Sequence, residues 1–434
     1  MLQVGLLSII FLVLYVLGWI FCSLRERKKN GGHWNTSSIL FLSYAIYAIF
    51  SLLLVTKYDD IVEYKEMTLF PLIYLFAMLW IAALPIIHFD RKRPLSIQPP
   101  RNEKLLNIIT VFYIIIAFLQ IPNIIENISS GITAIMLDSV SGSELYSEAK
   151  LNESNYDGAI SNFTAIIYNL FAPLLFLFLF YYLSQQRKKK WIIISLLICV
   201  IVEVFSGLSR GQRTQTTMMI MSFIISYFGF KRFLDVKTNA VIARVSIILG
   251  IAIMIPLSAL TISRFGETES GAGGSVVAYL GQAVPNFDQY GLSANGIRHG
   301  DRTCNTFKQL LGIPNTPKGM SAVRAKYSSM KMDDSVFSTF VGDFTLDFGP
   351  IPAVIIFITF SLLFVKITSF KGNAIPFHKM VLVYLTMIIC MQGGMYLFSF
   401  SFTGNLGLLA IILFYLLFYF DSKMQRCKVP ISRS

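Results

Sequence analysis

Trp191-Ile-Ile-Ile-Ser-Leu-Leu-Ile-Cys-Val-Ile-Val-Glu-Val-Phe205 and Met218-Met-Ile-Met-Ser-Phe-Ile-Ile-Ser-Tyr-Phe-Gly-Phe230 are apolar runs, joined by the polar turn Ser206-Gly-Leu-Ser-Arg210-Gly-Gln-Arg213-Thr-Gln-Thr-Thr217. In a soluble protein this would be an ordinary surface turn. Apolar runs of this kind recur along the whole chain, however. A guanidinium held against a hydrocarbon boundary is costly unless it faces a partner or a water-filled cavity. What Arg210 and Arg213 face is therefore the functional question.

Working outward, the 434 residues are 55% hydrophobic and only 14% charged, with 37 Phe, and the mean hydropathy is +0.63. A soluble domain of this size needs far less apolar surface, so repeated runs near twenty residues predict an all-α polytopic membrane protein. The net charge of +13 would suit nucleic acid, but the cations flank the runs. They read instead as topology determinants beside anionic lipid, with no nucleic-acid partner. The first run continues to Cys22 without a small-residue cleavage pattern, so no cleavable signal is expected. Cys22, Cys199, Cys304, Cys390 and Cys427 are isolated, which indicates neither a structural metal nor a disulfide framework.

The pattern predicts one integral membrane domain over 1–434 with eleven spans, at 2–23, 38–56, 68–88, 105–122, 159–183, 191–207, 215–230, 241–263, 349–369, 377–399 and 404–420. Arg25-Glu-Arg-Lys-Lys29 places the end of span 1 inside and the N-terminus outside. By alternation the inside segments then carry 23 Lys and Arg and the outside segments 13, eight of them in one long loop. Charge in long loops says little about orientation, and with that loop set aside the bias follows the positive-inside rule. Two outer loops are long. The first, 123–158, is acidic and polar. The second, 264–348, lies between spans 8 and 9, mixes Gly-rich stretches with cations, and is long enough to be functional. The inside loops are short, so any chemistry belongs to the outer face.

Several outer residues are candidates for that chemistry. Arg210 and Arg213 can converge on one anion at a helix N-terminus, where free N–H groups also suit phosphate; the alternative is that both reach for lipid headgroups. Arg264, closing span 8, is a third guanidinium at the same boundary. Glu203, seven residues before Arg210, either orients that arginine or takes a proton, or forms a polar contact between helices. In Arg298-His299-Gly-Asp301-Arg302, His299 is the one outer histidine, and imidazole is the side chain suited to proton transfer near neutrality. Asp343 and Asp347, four apart, share a helix face. They could act as a base, bind sugar hydroxyls or hold a divalent cation, or simply be a solvated or capping pair at a helix N-terminus. Asp333-Asp334 shows no metal-ligand spacing. No Walker loop, H-E-x-x-H or G-x-S-x-G motif occurs, so ATP hydrolysis, zinc proteolysis and α/β-hydrolase chemistry lack support.

Ser206-Gly-Leu-Ser-Arg-Gly-Gln-Arg213, the large outer loop and Asp343-Phe-Thr-Leu-Asp-Phe-Gly349 together resemble the oligosaccharide repeat-unit polymerases, the Wzy-type O-antigen or capsule polymerases of bacteria. The likeness runs from span 5 to the end. It implies a GT-C-like membrane glycosyltransferase in the bacterial inner membrane with its active site facing the periplasm; the absence of ligand-spaced His, Cys and Asp clusters adds the expectation of no metal and no cofactor. Such enzymes move a growing glycan from undecaprenyl diphosphate onto an incoming lipid-linked repeat, for lipopolysaccharide or capsule. Membrane lipid and a chain-length regulator protein are the further partners implied. Residue by residue, the resemblance assigns Arg210, Arg213, Arg264, Arg298 and Arg302 to the diphosphate. It leaves the base open among His299, Asp343 and Asp347. An O-antigen ligase is the near alternative. A flippase for a lipid-linked oligosaccharide is the distant one, and would need polar residues deep in several spans, where Glu203 is nearly alone.

Overall fold

Apolar runs that cannot hydrogen-bond to lipid must satisfy their own backbone, and here they do so as helices. The computed structural model describes residues 5–58, 66–122, 125, 159–209, 213–265, 271–333, 336–396 and 402–424. Helix α1 (Leu6–Lys29) turns back into α2 (Thr36–Lys57). Asn35 and Ser38 start α2 with a reciprocal capping box: the Ser38 amide donates to Asn35 Oδ1 and the Asn35 amide to Ser38 Oγ, each at 2.9 Å. Trp19 of α1 is fully buried between Phe41, Tyr44 and Phe76. The outward face of α1, with Leu7, Leu14, Leu17 and Phe21, is exposed and apolar, as a lipid-facing surface should be.

Next come α3 (Leu69–Ala82) and α4 (Leu84–Lys92), bent 41° at a break where Pro85 follows. Strand β1 (Ser96–Gln98) leads to α5 (Glu103–Leu119). Helices α6 (Ala159–Phe171) and α7 (Leu175–Ser184) are separated by a tight turn over Ala172–Leu174. Pro173 there cannot donate to the helix ladder, and its carbonyl accepts from the Tyr384 hydroxyl at 2.5 Å. Helix α8 (Lys190–Ser209) and α9 (Arg213–Phe230) flank the arginine turn, and α10 (Val236–Phe265) follows.

The stretch expected as outer loop contains helices of its own: α11 (Gly271–Gly281), α12 (Ala283–Asn286) running into a wider turn over Phe287–Gly291, α13 (Asn305–Leu310), α14 (Gly319–Lys326) and α15 (Thr339–Phe348). Its Gly-rich part is therefore not open loop. Helix α11 packs along α2 so closely that a Cβ on Gly281 would stand 2.4 Å from the Phe50 carbonyl oxygen, and Ser51 Oγ donates to the Gly281 carbonyl at 2.7 Å.

Helix α16 (Pro350–Thr368), strand β2 (Ala374–Pro376), α17 (Phe377–Gly393) and α18 (Phe402–Lys423) complete the chain. The expected span 377–399 is shorter as a helix, because α17 stops at Gly393. Gly394 lies against Tyr47 and Tyr44 of α2, so α17 ends about ten residues, roughly 15 Å, short of the Lys57 end of α2. Strands β1 and β2 pair in parallel, joining two segments both expected inside. Among the described residues, five spans are long and apolar enough to cross a membrane, or six if α3 and α4 count as one bent span. The chain is an all-α membrane protein.

Candidate functional site

Arg298 and Arg302 are four apart in the loop, and Asp343 and Asp347 are four apart on α15. The fold brings these two pairs together. Arg298 is 0% exposed; its Nε donates to Asp347 Oδ1 at 2.7 Å and its Nη2 lies 3.9 Å from Asp343 Oδ1. Arg302 Nε is 3.1 Å from Asp343 Oδ1. Asp347 also accepts the backbone amides of Thr303 at 2.7 Å and Arg302 at 3.3 Å. The backbone joins in, with the Arg298 amide donating to the Leu346 carbonyl at 2.9 Å. Neither aspartate is solvated, so the solvated-pair alternative is corrected: both are fully buried and clamp residues 298–303 onto α15.

Gly300 makes the clamp possible. Its φ of +78° is a left-handed conformation, and a Cβ there would stand 3.3 Å from the Phe348 ring. Gly349, at φ +90°, ends α15 and lets Pro350 start α16. Asp301 is buried too. Its carboxylate pairs with Lys308, with Lys326 Nζ at 2.6 Å and with the Tyr327 hydroxyl at 2.7 Å. Burial pushes this carboxyl up, but hydrogen bonds from Lys308, Lys326 and Tyr327 outweigh it and hold it below the ordinary aspartate range.

His299 behaves differently from its neighbours. The expectation set it among flanking charges, yet Arg298, Asp301 and Arg302 are buried and engaged elsewhere while His299 is exposed. Its φ of +54° is rare for a residue with a Cβ. The imidazole therefore projects from a strained knuckle with a buried base beneath it. Strain of this kind is a reason to ask about function.

Of the remaining candidates, Arg210 lies outside the described residues. Arg213 opens α9 and Arg264 stands one residue before the end of α10, with their side chains outside the description. Asp334 is also outside it; the Asp333 carbonyl accepts from Asn286 Nδ2 at 3.2 Å. Glu203 of α8 is a contact between helices: Tyr168 of α6 donates to Oε2 and Gln215 Nε2 of α9 to Oε1 at 2.8 Å. That contact sets Glu203 against the first turn of α9, just past Arg213. Among the described residues, no group of three or more His, Cys, Asp or Glu could hold a metal ion.

Three structural residues escaped the sequence reading. Asn405 of α18 accepts the Thr306 amide and donates to the Thr303 carbonyl, both at 3.2 Å. Asp288 receives the Thr68 amide at 3.2 Å on each oxygen, satisfying the N-terminus of α3. Asn286 holds the Phe337 carbonyl at 3.1 Å. None carries a local signature. The matched four-residue spacing of the arginines and aspartates was a usable signal for the clamp. Compared with known family models, characterised proteins and solved structures, the chain shows no significant match.

Proposed function

We propose that this protein is a membrane-embedded glycosyltransferase that polymerises undecaprenyl-diphosphate-linked oligosaccharide repeats into O-antigen or capsular polysaccharide. The observation that supports the reading is the order of its parts along the chain: α8 and α9 flank Arg210 and Arg213, and α10 ends one residue past Arg264, just before the segment that builds the helical cap, residues 271–348. In this reading the chain crosses eleven times, the cap faces the periplasm, and β1 and β2 face the cytoplasm.

The chemistry asks for few parts. The bond from the anomeric carbon to the diphosphate breaks, and its electron pair leaves with undecaprenyl diphosphate. The acceptor hydroxyl oxygen forms the new bond and yields its proton to a base. Arginine forks suit the growing charge on the diphosphate, and Arg210, Arg213 and Arg264 fill that role. His299, exposed above the clamp, is the base within reach of solvent and substrate. Arg298, Arg302, Asp343 and Asp347 then act as positioning residues, since their charged groups are buried against one another.

The test is reconstitution of the purified protein in proteoliposomes with a lipid-linked repeat unit as sole substrate. A ladder of lengthened glycans supports polymerisation. Transfer only after a lipid A core is added makes it a ligase, and a change of sidedness without transfer makes it a flippase; either result overturns the proposal.

A further inference from the structure

Residues 305–332 hold five cations, Lys308, Lys318, Arg324, Lys326 and Lys331, and no acid. Between the first two of these cations the chain exposes aliphatic side chains instead of covering them. Leu310 is 63% exposed, Leu311 77% and Ile313 41%, around Gly312, which turns the chain at φ +67°. Two adjacent leucines left open on a folded segment call for a covering phase.

The position of this tip says which phase. Helix α13 starts where Asn405 bonds Thr303 and Thr306, and Asn405 is the second residue of the apolar membrane-crossing stretch Gly404–Lys423. From Thr306 to Leu311 is about five helical residues, roughly 8 Å. The leucines thus lie within about that reach of the Gly404 end of a membrane-crossing stretch, with exposed Lys318 and Lys331 on the same segment. Aliphatic side chains beside lysines are the chemistry of an interfacial anchor.

We propose that the Leu310–Ile313 tip is a membrane-surface anchor, seated in the leaflet at this end of the bundle and drawn there by anionic phospholipid. It holds the cap at a fixed height over the bilayer. The inference needs only the membrane class of the chain and stands apart from the transferase reading.

The test uses the full chain with Leu311→Trp or, as an exposed control, Ser329→Trp, each read as a difference from the native protein. Both positions are on the surface, so folding should be preserved. In bilayers containing phosphatidylglycerol, Trp fluorescence at 311 should be blue-shifted. Lipid brominated near the headgroup end of its chains should quench it several-fold more than aqueous acrylamide does, with the order reversed at 329. Lys318→Glu with Lys331→Glu, or removal of the anionic lipid, should weaken the lipid quenching at 311. Acrylamide quenching at 311 equal to that at 329 would overturn the anchor. Shielding from both quenchers would overturn it too, showing cover by protein, such as a second copy. Lipid quenching indifferent to the charge changes would overturn the role of anionic lipid.

Discussion

Removing the Arg298 guanidinium takes from buried Asp347 its 2.7 Å Nε donor. Opening a buried pair from one side costs about 3–5 kcal/mol, whereas replacing both partners by apolar groups is far milder. Arg298→Ala should therefore lower the melting temperature of the detergent-solubilised protein sharply. Arg298→Met with Asp347→Leu should recover part of the loss, though the Thr303 amide then lacks its acceptor. An Arg298→Ala protein as stable as the native one would remove the clamp from the fold. The proposed ligands should behave in the opposite way. Arg210→Ala and Arg264→Ala should leave the amount of protein unchanged and cost about 10²–10³ in turnover, by analogy with loss of one oxyanion donor, and lysine should not rescue them. His299→Ala should lower turnover with little effect on donor binding. Full-length polymer from both arginine variants would make those residues lipid anchors. Asp288, in the cap, offers a pH test. Burial raises its carboxyl from 3.8 to about 6, against hydrogen bonds from Thr68. The native state therefore binds the proton more tightly than the unfolded chain does, and this group's contribution to stability falls as pH rises from about 4 through about 6, then levels. Asp288→Asn keeps an acceptor for the Thr68 amide without the charge. Its melting temperature should rise relative to the native protein at pH 7.5 and gain less at pH 4.5.

Helix α11 is an element whose place depends on a missing side chain. With Gly281 pressed on the Phe50 carbonyl, the two backbones approach as small residues allow helices to do in membranes. Gly281→Val forces them apart, and overpacking of this kind costs about 1–3 kcal/mol. Gly250, midway along α10, has nothing within 4 Å of where a Cβ would lie. Gly250→Ala should be neutral or slightly stabilising, since Ala is the better helix former by about 1 kcal/mol. Equal melting temperatures for Gly281→Val and the native protein would mean that α11 does not hold this position. Helices α17 and α15 meet in a related way: Gly393 leaves room for Phe340, whose ring stands 2.5 Å from where a Cβ would lie.

For the whole molecule, two exposed positions in the cap and beside the strand pair report which face is which. Ser328 lies in the cap and Leu95 beside the β1–β2 pair. Ser328→Cys should react with an impermeant thiol reagent from the periplasmic side, and Leu95→Cys only after the membrane is opened; the reverse pattern would invert the proposed orientation. Native Cys304 is a poorer reporter, being half-buried, with its thiol pushed up by burial. The membrane class, the helical content and the approximate limits of α1, α2, α8, α9 and α16 were legible in the amino-acid order alone, because lipid leaves an apolar run of twenty residues no other stable form. So was the shared face of Asp343 and Asp347, which needs only the helical repeat. Tertiary structure decided the rest. It turned those aspartates inward onto Arg298 and Arg302, left His299 outside, laid a glycine-rich stretch along α2 and ended α17 at Gly393. Each of these depends on which distant groups meet, and burial makes an unpaired charge or an unfilled gap costly enough to select one partner. That choice is made between segments far apart in sequence, so no local pattern records it.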